Sequence, residues 1–485
     1  MATKDKKKDE TKALREKLFF ETKNQWGEVA KSSRKEAFAF AEDYKKALDE
    51  GKTERLYVDY ALAELKKAGY KPLSEAKSLK AGDKVYQVVR DRAIVAAKIG
   101  KDDPRDGFNL VGAHIDSPRL DLKPQPVYEA SELVLLKTHY YGGIKKYQWA
   151  ATPLAIKGVL YKEDGTEVQL DIGDKENDPV FTVTDLLPHL GKDQMVKKAS
   201  EVISGEQLNV LIGGLPYDDE ETKDRFKLGL LNLLYEEYGI TEKDFVTAEI
   251  EVVPAGKAKD VGFDRAFLGA YGQDDRVCAY TAMKALLDSG TLKRTGMVVL
   301  YDKEETGSDG NTGASSALYQ YVQHEIMKKM LGQPPTIGDV FENQAHTVVI
   351  SSDVTAAHDP SFPEVSDPLN VSKVGHGIAI AKYGGVRGKG GTSDASSELF
   401  SALTACFNKA NVAWQAGEMG KVDQGGGGTV AKFQAALGME VIDCGVPTLS
   451  MHSLFEITSK IDVYETYRAY KAFLETMEPI RNQKF

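Results

Sequence analysis

Four apolar runs in this chain each stop on residues that bind cations. Phe108-Asn-Leu-Val-Gly-Ala passes into His114-Ile-Asp116, and Met297-Val-Val-Leu-Tyr passes into Asp302-Lys-Glu304-Glu305. Thr347-Val-Val-Ile-Ser-Ser passes into Asp353, and Val441-Ile-Asp-Cys leads through a turn to His452. Short apolar runs bounded by turn signals read as buried strands. Helices are expected among them at 275–288, which ends before Gly290, and at 393–409, with Ser393 or Asp394 near its start. Such alternation predicts an α/β fold, a sheet with helices on both faces. Ligands bind such sheets beyond the carboxyl ends of the strands, so four ends carrying His, Asp and Glu can meet in one cleft. Gln273-Asp274-Asp275-Arg276, at the start of a helix, can turn a further carboxylate to the same cleft.

Each feature alone has an ordinary explanation. A single His after a strand is usually a hydrogen-bonded structural residue. Glu304-Glu305 reads equally as a solvated turn, and Asp274-Asp275 as an N-cap. Repetition of one context at four strand ends weighs against reading all of them that way.

The rest of the chain frames this part. Residues 4–8 form a basic run with Asp5 inside it, read as a solvated tail. Phe38, Phe40, Ala41, Tyr44 and Leu48 give an apolar helical stripe over 34–50, and a second helix is expected over 54–68 with Thr53 as its cap. Strands are expected at 84–89, 93–98 and 108–113. From 124 to 251 short β-like runs, at 133–137, 152–161, 166–172 and 245–253, alternate with charged turns. That stretch holds no cluster of catalytic residue types and reads as a β-rich insert. The expected organisation is a core of 1–123 and 256–485 around an inserted domain of 124–255.

Composition narrows the partners. The 485 residues carry a net charge of −10, which disfavours phosphate backbones and so a nucleic-acid partner. The three cysteines form no C-x-x-C pair, which fits a reducing cytoplasm. Residues 1–12 have no apolar core of a signal peptide, and no apolar run is long enough to span a membrane.

Taken in order, Gly112-Ala-His114-Ile-Asp116-Ser-Pro, Asp274-Asp275-Arg276, Asp302-Lys-Glu304-Glu305-Thr-Gly-Ser308, Ser352-Asp353 and Ser450-Met-His452-Ser453 resemble the M18 family of metallo-aminopeptidases, the aspartyl aminopeptidase group. The match extends over most of the chain. The resemblance implies a metallopeptidase core with a mixed central sheet flanked by helices, plus the β-rich insert. It implies two divalent metal ions, zinc by the nitrogen and oxygen donor set, with cobalt or manganese as substitutes. Asp274 would bridge them, one ion taking His114 and Asp353 and the other Glu305 and His452. Glu304 would be the general base. Asp116 would orient the His114 imidazole. Peptides would be the substrates, cut after their N-terminal residue. The insert would make dimer contacts within a homo-oligomer, a dodecamer in the family.

The substrate side-chain pocket is the open point. His376, Lys382 and Arg387 lie in a Gly-rich stretch similar to the family's substrate-binding region, where a cation would pair with an acidic P1 side chain. After Asp353, however, the chain reads Val354-Thr-Ala-Ala-His358-Asp-Pro, and the insert reads Tyr147-Gln-Trp-Ala-Ala-Thr152, both away from the aspartyl-specific pattern. A preference for neutral or hydrophobic P1 residues therefore stands beside the acidic one. A non-catalytic assembly protein on the same fold is the rival outside enzymes, and it has no use for Glu304. Other catalytic motifs fail: His324-Glu325 is not part of H-E-x-x-H, no G-x-S-x-G occurs, and Gly425–Gly428 lacks the G-K-[ST] ending of a phosphate loop. That glycine run is read as a turn before a helix at 429–437.

Overall fold

The computed structural model describes residues 2–480. Its centre is a nine-stranded sheet whose middle strands are Gly296–Tyr301, Asn109–His114, Val348–Ser351 and Glu440–Gly445, in that spatial order. All three neighbouring pairs are parallel, with Tyr301 opposite His114, Ser351 opposite Gly112, and Ser351 opposite Asp443. Parallel neighbours finish at one edge of a sheet, so the four cation-binding ends stand side by side. The first three of these strands are buried along their whole length, as parallel strands covered on both faces must be. Their side chains alternate between two cores. Val298 and Leu300 pack with helices Gln273–Leu287 and Lys460–Thr476, while Met297, Val299 and Tyr301 pack with helix Leu318–Leu331. Outer strands make the sheet mixed, because Ala93–Lys98 and Ile378–Ala381 run antiparallel to their central neighbours.

A second sheet has seven strands, all paired antiparallel, in the order Glu167–Ile172, Leu154–Tyr161, Glu249–Pro254, Arg119–Ala130, Leu133–Tyr141, Val210–Gly213 and Thr182–Val183. It has its own core around Trp149 and Leu120. The sheet takes in residues from Arg119, ahead of the expected border at 124, because one long strand runs through that point. The β-rich insert also holds a helix, Arg225–Tyr238, whose leucines pack on the sheet. One sequence reading is corrected in this region. Residues 245–247, expected to open a strand, instead end a 3-10 turn held by the Thr241 and Asp244 side chains, and the strand begins at Glu249.

A third sheet of five short strands was not anticipated. Two of its strands, Pro447–Leu449 and Glu456–Ser459, form an antiparallel pair whose connecting turn carries His452.

The helices at 34–50 and 54–68 are Lys31–Glu50 and Glu54–Lys67, the latter capped by Thr53 Oγ1, which accepts the Leu56 N–H at 3.4 Å. The helix expected from 393 is Ser397–Lys409, because Ser396 and not Ser393 or Asp394 supplies the cap, accepting the Leu399 N–H at 3.1 Å. The one expected at 429–437 is the shorter Ala431–Ala435. The basic run at 4–8 falls in a helix, Ala2–Leu18, where an unstructured tail was expected; its side chains lie outside the described residues. Among the described residues, no helix is long and apolar enough to cross a membrane.

Candidate metal centre and active site

Five elements bring their ends to one place. His114 closes its strand, and Asp116 follows two residues later. Glu304 and Glu305 open a 3-10 turn, Glu304–Thr306, after Lys303 reverses the backbone at φ 72°. Asp353 follows the strand Val348–Ser351. Asp274 and Asp275 sit at the start of helix Gln273–Leu287 with non-helical backbone angles, which turns their side chains inward. His452 comes from the turn of the third sheet, where its backbone N–H donates to Glu456 Oε1 at 2.7 Å.

Asp274 stands between two imidazoles. Its Oδ1 is 3.1 Å from His114 Nε2 and its Oδ2 is 3.2 Å from His452 Nε2. Beyond His114 lies Asp353 Oδ1 at 3.9 Å, and beyond His452 lies Glu305 Oε2 at 3.5 Å. Glu304 Oε2 is 4.0 Å from His114 Nε2. The donor atoms of His114, Asp274 and Glu305 all fall within 4.8 Å of one another, and so do those of His114, Asp275 and Asp353. Asp275, which sequence reasoning left unassigned, accepts the His114 backbone N–H at 3.4 Å. His114 is common to both groups, and Asp274 offers one oxygen to each imidazole.

These groups fit cations. Asp274 Oδ1, Asp275 Oδ1 and Glu305 Oε1 are buried without a well-aligned hydrogen-bond donor, which a protein ordinarily avoids. Burial, reinforced by neighbouring carboxylates, pushes Glu305 and Asp353 well above the usual carboxylate range and Glu304 up to about 7. Burial acts to lower both imidazoles, yet the carboxylates around them prevail. His114 is held well above its ordinary value by Asp116 and Asp274, and His452 is pushed up to about 10 by Asp274 and Glu305. Crowded carboxylates that retain protons beside protonated imidazoles mark a space that favours positive charge.

Asp116 organises the surround. Its Oδ1 is 3.3 Å from His114 Nδ1 and accepts the Glu304 N–H at 3.1 Å. Its Oδ2 accepts the Glu305 N–H at 3.2 Å and the Tyr141 hydroxyl at 2.7 Å. Tyr141 ends a strand of the second sheet, and Gly143, in the bend just beyond it, has its carbonyl 2.9 Å from His452 Nδ1. Sequence reasoning missed both, since neither a tyrosine nor a glycine at that place carries a motif.

Residues 47–474 match the family model described as aminopeptidase I zinc metalloprotease (M18). The chain belongs to the M18 family of zinc metallo-aminopeptidases. The probable M18 family aminopeptidase 1 of Clostridium acetobutylicum is 47% identical over 466 residues, covering 94% of this chain and 99% of that relative. The crystal structure of an M18 aminopeptidase from Thermotoga maritima superposes with a TM-score of 0.91 at 48% identity, over 94% of this chain and all of the other. A more distant structure, the mApe1 dodecamer of S. cerevisiae, has a TM-score of 0.71 at 22% identity, a likeness of fold.

The three residues expected to meet substrate in this M18 chain do not stay together. Arg387 lines a cavity of about 200 Å³ beside Asp353, whose walls include apolar residues such as Val354, Ala379 and Cys444, several glycines, and the charged Lys389, Lys421, Glu418 and Asp443. Lys382 is exposed and does not line that cavity. His376 is a correction: its Nδ1 is 2.9 Å from Thr22 Oγ1, and it lines a separate groove with residues 20–33 and Trp414. The strand Ile378–Ala381 lies between His376 and Arg387 and carries them to opposite ends.

Proposed function

We propose that the chain is a two-metal aminopeptidase in which Asp274 bridges the ions, His114 and Asp353 complete one site, and Glu305 and His452 complete the other. The observation that carries this reading is the pair of Asp274 oxygens, each facing an imidazole from a different strand end. Two-metal sites of this type hold their ions roughly 3.5–4 Å apart, a spacing one bridging carboxylate provides. When bound, divalent ions supply Lewis-acid polarisation of the scissile carbonyl and make a water acidic near neutral pH. Zinc suits the mixed imidazole and carboxylate set, and cobalt or manganese can replace it.

The chain's own groups do the rest. Glu304 accepts a proton from the attacking water and returns it to the leaving amine. Asp116 holds the Glu304 and Glu305 backbone and fixes the orientation of His114. The substrate's α-ammonium is received among the carboxylates, which selects a free N-terminus over an internal peptide bond.

The P1 side chain enters the cavity beside Asp353. Its buried wall of Val354, Ala379 and Cys444 favours neutral P1 residues over acidic ones. An acidic side chain there meets Glu418 and Asp443, whose buried carboxyl is pushed up to about 6, and finds its cations, Arg387, Lys389 and Lys421, only at exposed positions.

Residues 124–255 act as an inserted domain that assembles copies of the chain. Leu186, Leu187, Leu190, Met195, Val196 and Leu215 are exposed on it, apolar side chains that contact between copies would cover. The fold shared with the mApe1 dodecamer supports a dodecamer here. The three cysteines are buried and unpaired, which accords with a reducing cytoplasm.

The test is release of N-terminal residues from a panel of amino-acid p-nitroanilides and short peptides, with zinc, cobalt and manganese added in turn and Glu304→Gln beside wild type. Metal-dependent release that collapses in the variant is expected. No turnover by folded, metal-loaded protein would overturn the reading.

A further inference from the structure

We propose that residues 141–143, the end of a second-sheet strand and the bend that follows it, are a positioning strap that orients both halves of the metal centre, through the Tyr141 hydroxyl on Asp116 and the Gly143 carbonyl on His452. The inference rests on the two-metal reading above.

Gly143 acts on one half. A carbonyl oxygen only accepts, so the 2.9 Å contact obliges His452 Nδ1 to carry the proton. That leaves the Nε2 lone pair for the side of the ring that faces Asp274 and Glu305. Nothing else in the His452 turn sets this tautomer: its backbone N–H is taken by Glu456.

Tyr141 acts on the other half. Its hydroxyl donates to Asp116 Oδ2 at 2.7 Å, and Asp116 in turn reaches His114 Nδ1 and the N–H groups of Glu304 and Glu305. One phenol therefore steadies an imidazole and the turn that carries both glutamates.

The backbone between them is fitted to the site. At Gly142, with φ 73°, an added Cβ would lie 3.3 Å from Glu305 Oε2, and at Gly143 it would lie 3.3 Å from His452 Nδ1. A side chain at either place presses on a candidate ligand, so the two glycines let the strap approach.

The strap is anchored from behind. The Arg119 guanidinium lies 3.9 Å over the Tyr141 ring and is itself buried against Glu54 at 3.2 Å, Asp121 at 2.8 Å and Glu251 at 3.3 Å. Glu54 belongs to the core and Glu251 to the second sheet, so this network ties the two bodies together where the strap crosses. The second sheet thus enters the active site of its own chain, besides any part it takes in assembly.

The experiment equilibrates zinc-loaded, full-length Tyr141→Phe, Gly143→Ala and wild type with a graded chelator, counts the zinc retained, and measures kcat and KM on one peptide. Wild type is expected to retain two zinc ions per chain. Each variant is expected to give up one of the two at roughly 10–100-fold lower chelator, with kcat reduced and KM little changed. A merely structural tyrosine or glycine would lower the unfolding temperature and leave zinc retention where it was. Wild type holding fewer than two ions would overturn the two-metal reading. Wild type holding two, with folded variants unchanged in zinc retention and kcat, would overturn the strap.

Discussion

The nine-stranded and seven-stranded sheets serve the same site in opposite ways. In the first, four parallel neighbours end at one edge, and whatever side chains follow those ends are brought together by the topology itself. In the second, every pairing is antiparallel, so strand ends are divided between two edges, and the centre is met where Arg119–Ala130 begins and Leu133–Tyr141 ends. The first sheet contributes the His114 imidazole and the carboxyl groups of Asp353, Glu304 and Glu305. The second contributes a phenol hydroxyl and, from the bend after its strand, a backbone carbonyl. Parallel topology gathers the reacting groups, and the antiparallel sheet sets their orientation.

Substitutions should separate these contributions by size. Glu304→Gln, at a first-sheet strand end, is expected to lower kcat by about 10²–10⁴-fold while both zinc ions stay bound, which steady-state kinetics with metal analysis will check. Arg119→Met at the joint between the sheets should destabilise the fold by about 3–5 kcal/mol, because Glu54 and Glu251 are left buried without their main partner. Denaturant unfolding measures it. Equal loss of activity from both changes in protein that remains folded would erase the distinction.

Protonation gives a smaller and graded test. In the metal-free chain His452 titrates near 10 and His114 well above its ordinary value. Both are therefore protonated at neutral pH, and a bound ion must displace those protons. Zinc retention should weaken as pH falls from about 9 to 6, and zinc uptake should release at least one proton per ion, visible in weakly buffered solution. The sign follows from the raised values: the proton competes throughout that window and stops competing only above about 10. In the chelator assay His452→Gln, which removes an imidazole donor from one site, should weaken retention of one ion at every pH and leave the pH dependence of the other.

The smallest effect is expected at the cavity mouth. Arg387→Ala, on an exposed loop, should change kcat/KM for neutral P1 substrates by less than about threefold, as surface charges contribute little. A much larger loss confined to acidic substrates would assign Arg387 to the P1 side chain and reverse the proposed preference.

The same contrast decides what could be read from the sequence. His114, Asp353 and the Glu304-Glu305 pair were legible because each follows an apolar run, and a run of that kind marks a strand end without further information. Their adjacency was not legible, since strand order depends on how distant segments pack. His452 was legible as a residue type, but the third sheet that presents it was not, its strands being only three or four residues long at Pro447–Leu449 and Glu456–Ser459. The helix Arg225–Tyr238 was hidden by Gly229 within a leucine-rich run and by the β-like segments on either side. His376 was grouped with Lys382 and Arg387 because their Gly-rich stretch resembles the family's substrate-binding region, whereas the strand Ile378–Ala381 separates His376 from Arg387. Tyr141 and Gly143 act through a hydroxyl and a carbonyl, groups too common to stand out in any sequence.

Diffraction from crystals grown with zinc, collected at the zinc absorption edge, tests the central claim most directly. Two anomalous peaks roughly 3.5–4 Å apart are predicted, with one oxygen of Asp274 on each, His114 and Asp353 on one ion, and Glu305 and His452 on the other. A single peak, or two peaks joined through Asp275 with Asp274 bound to neither, would contradict the account.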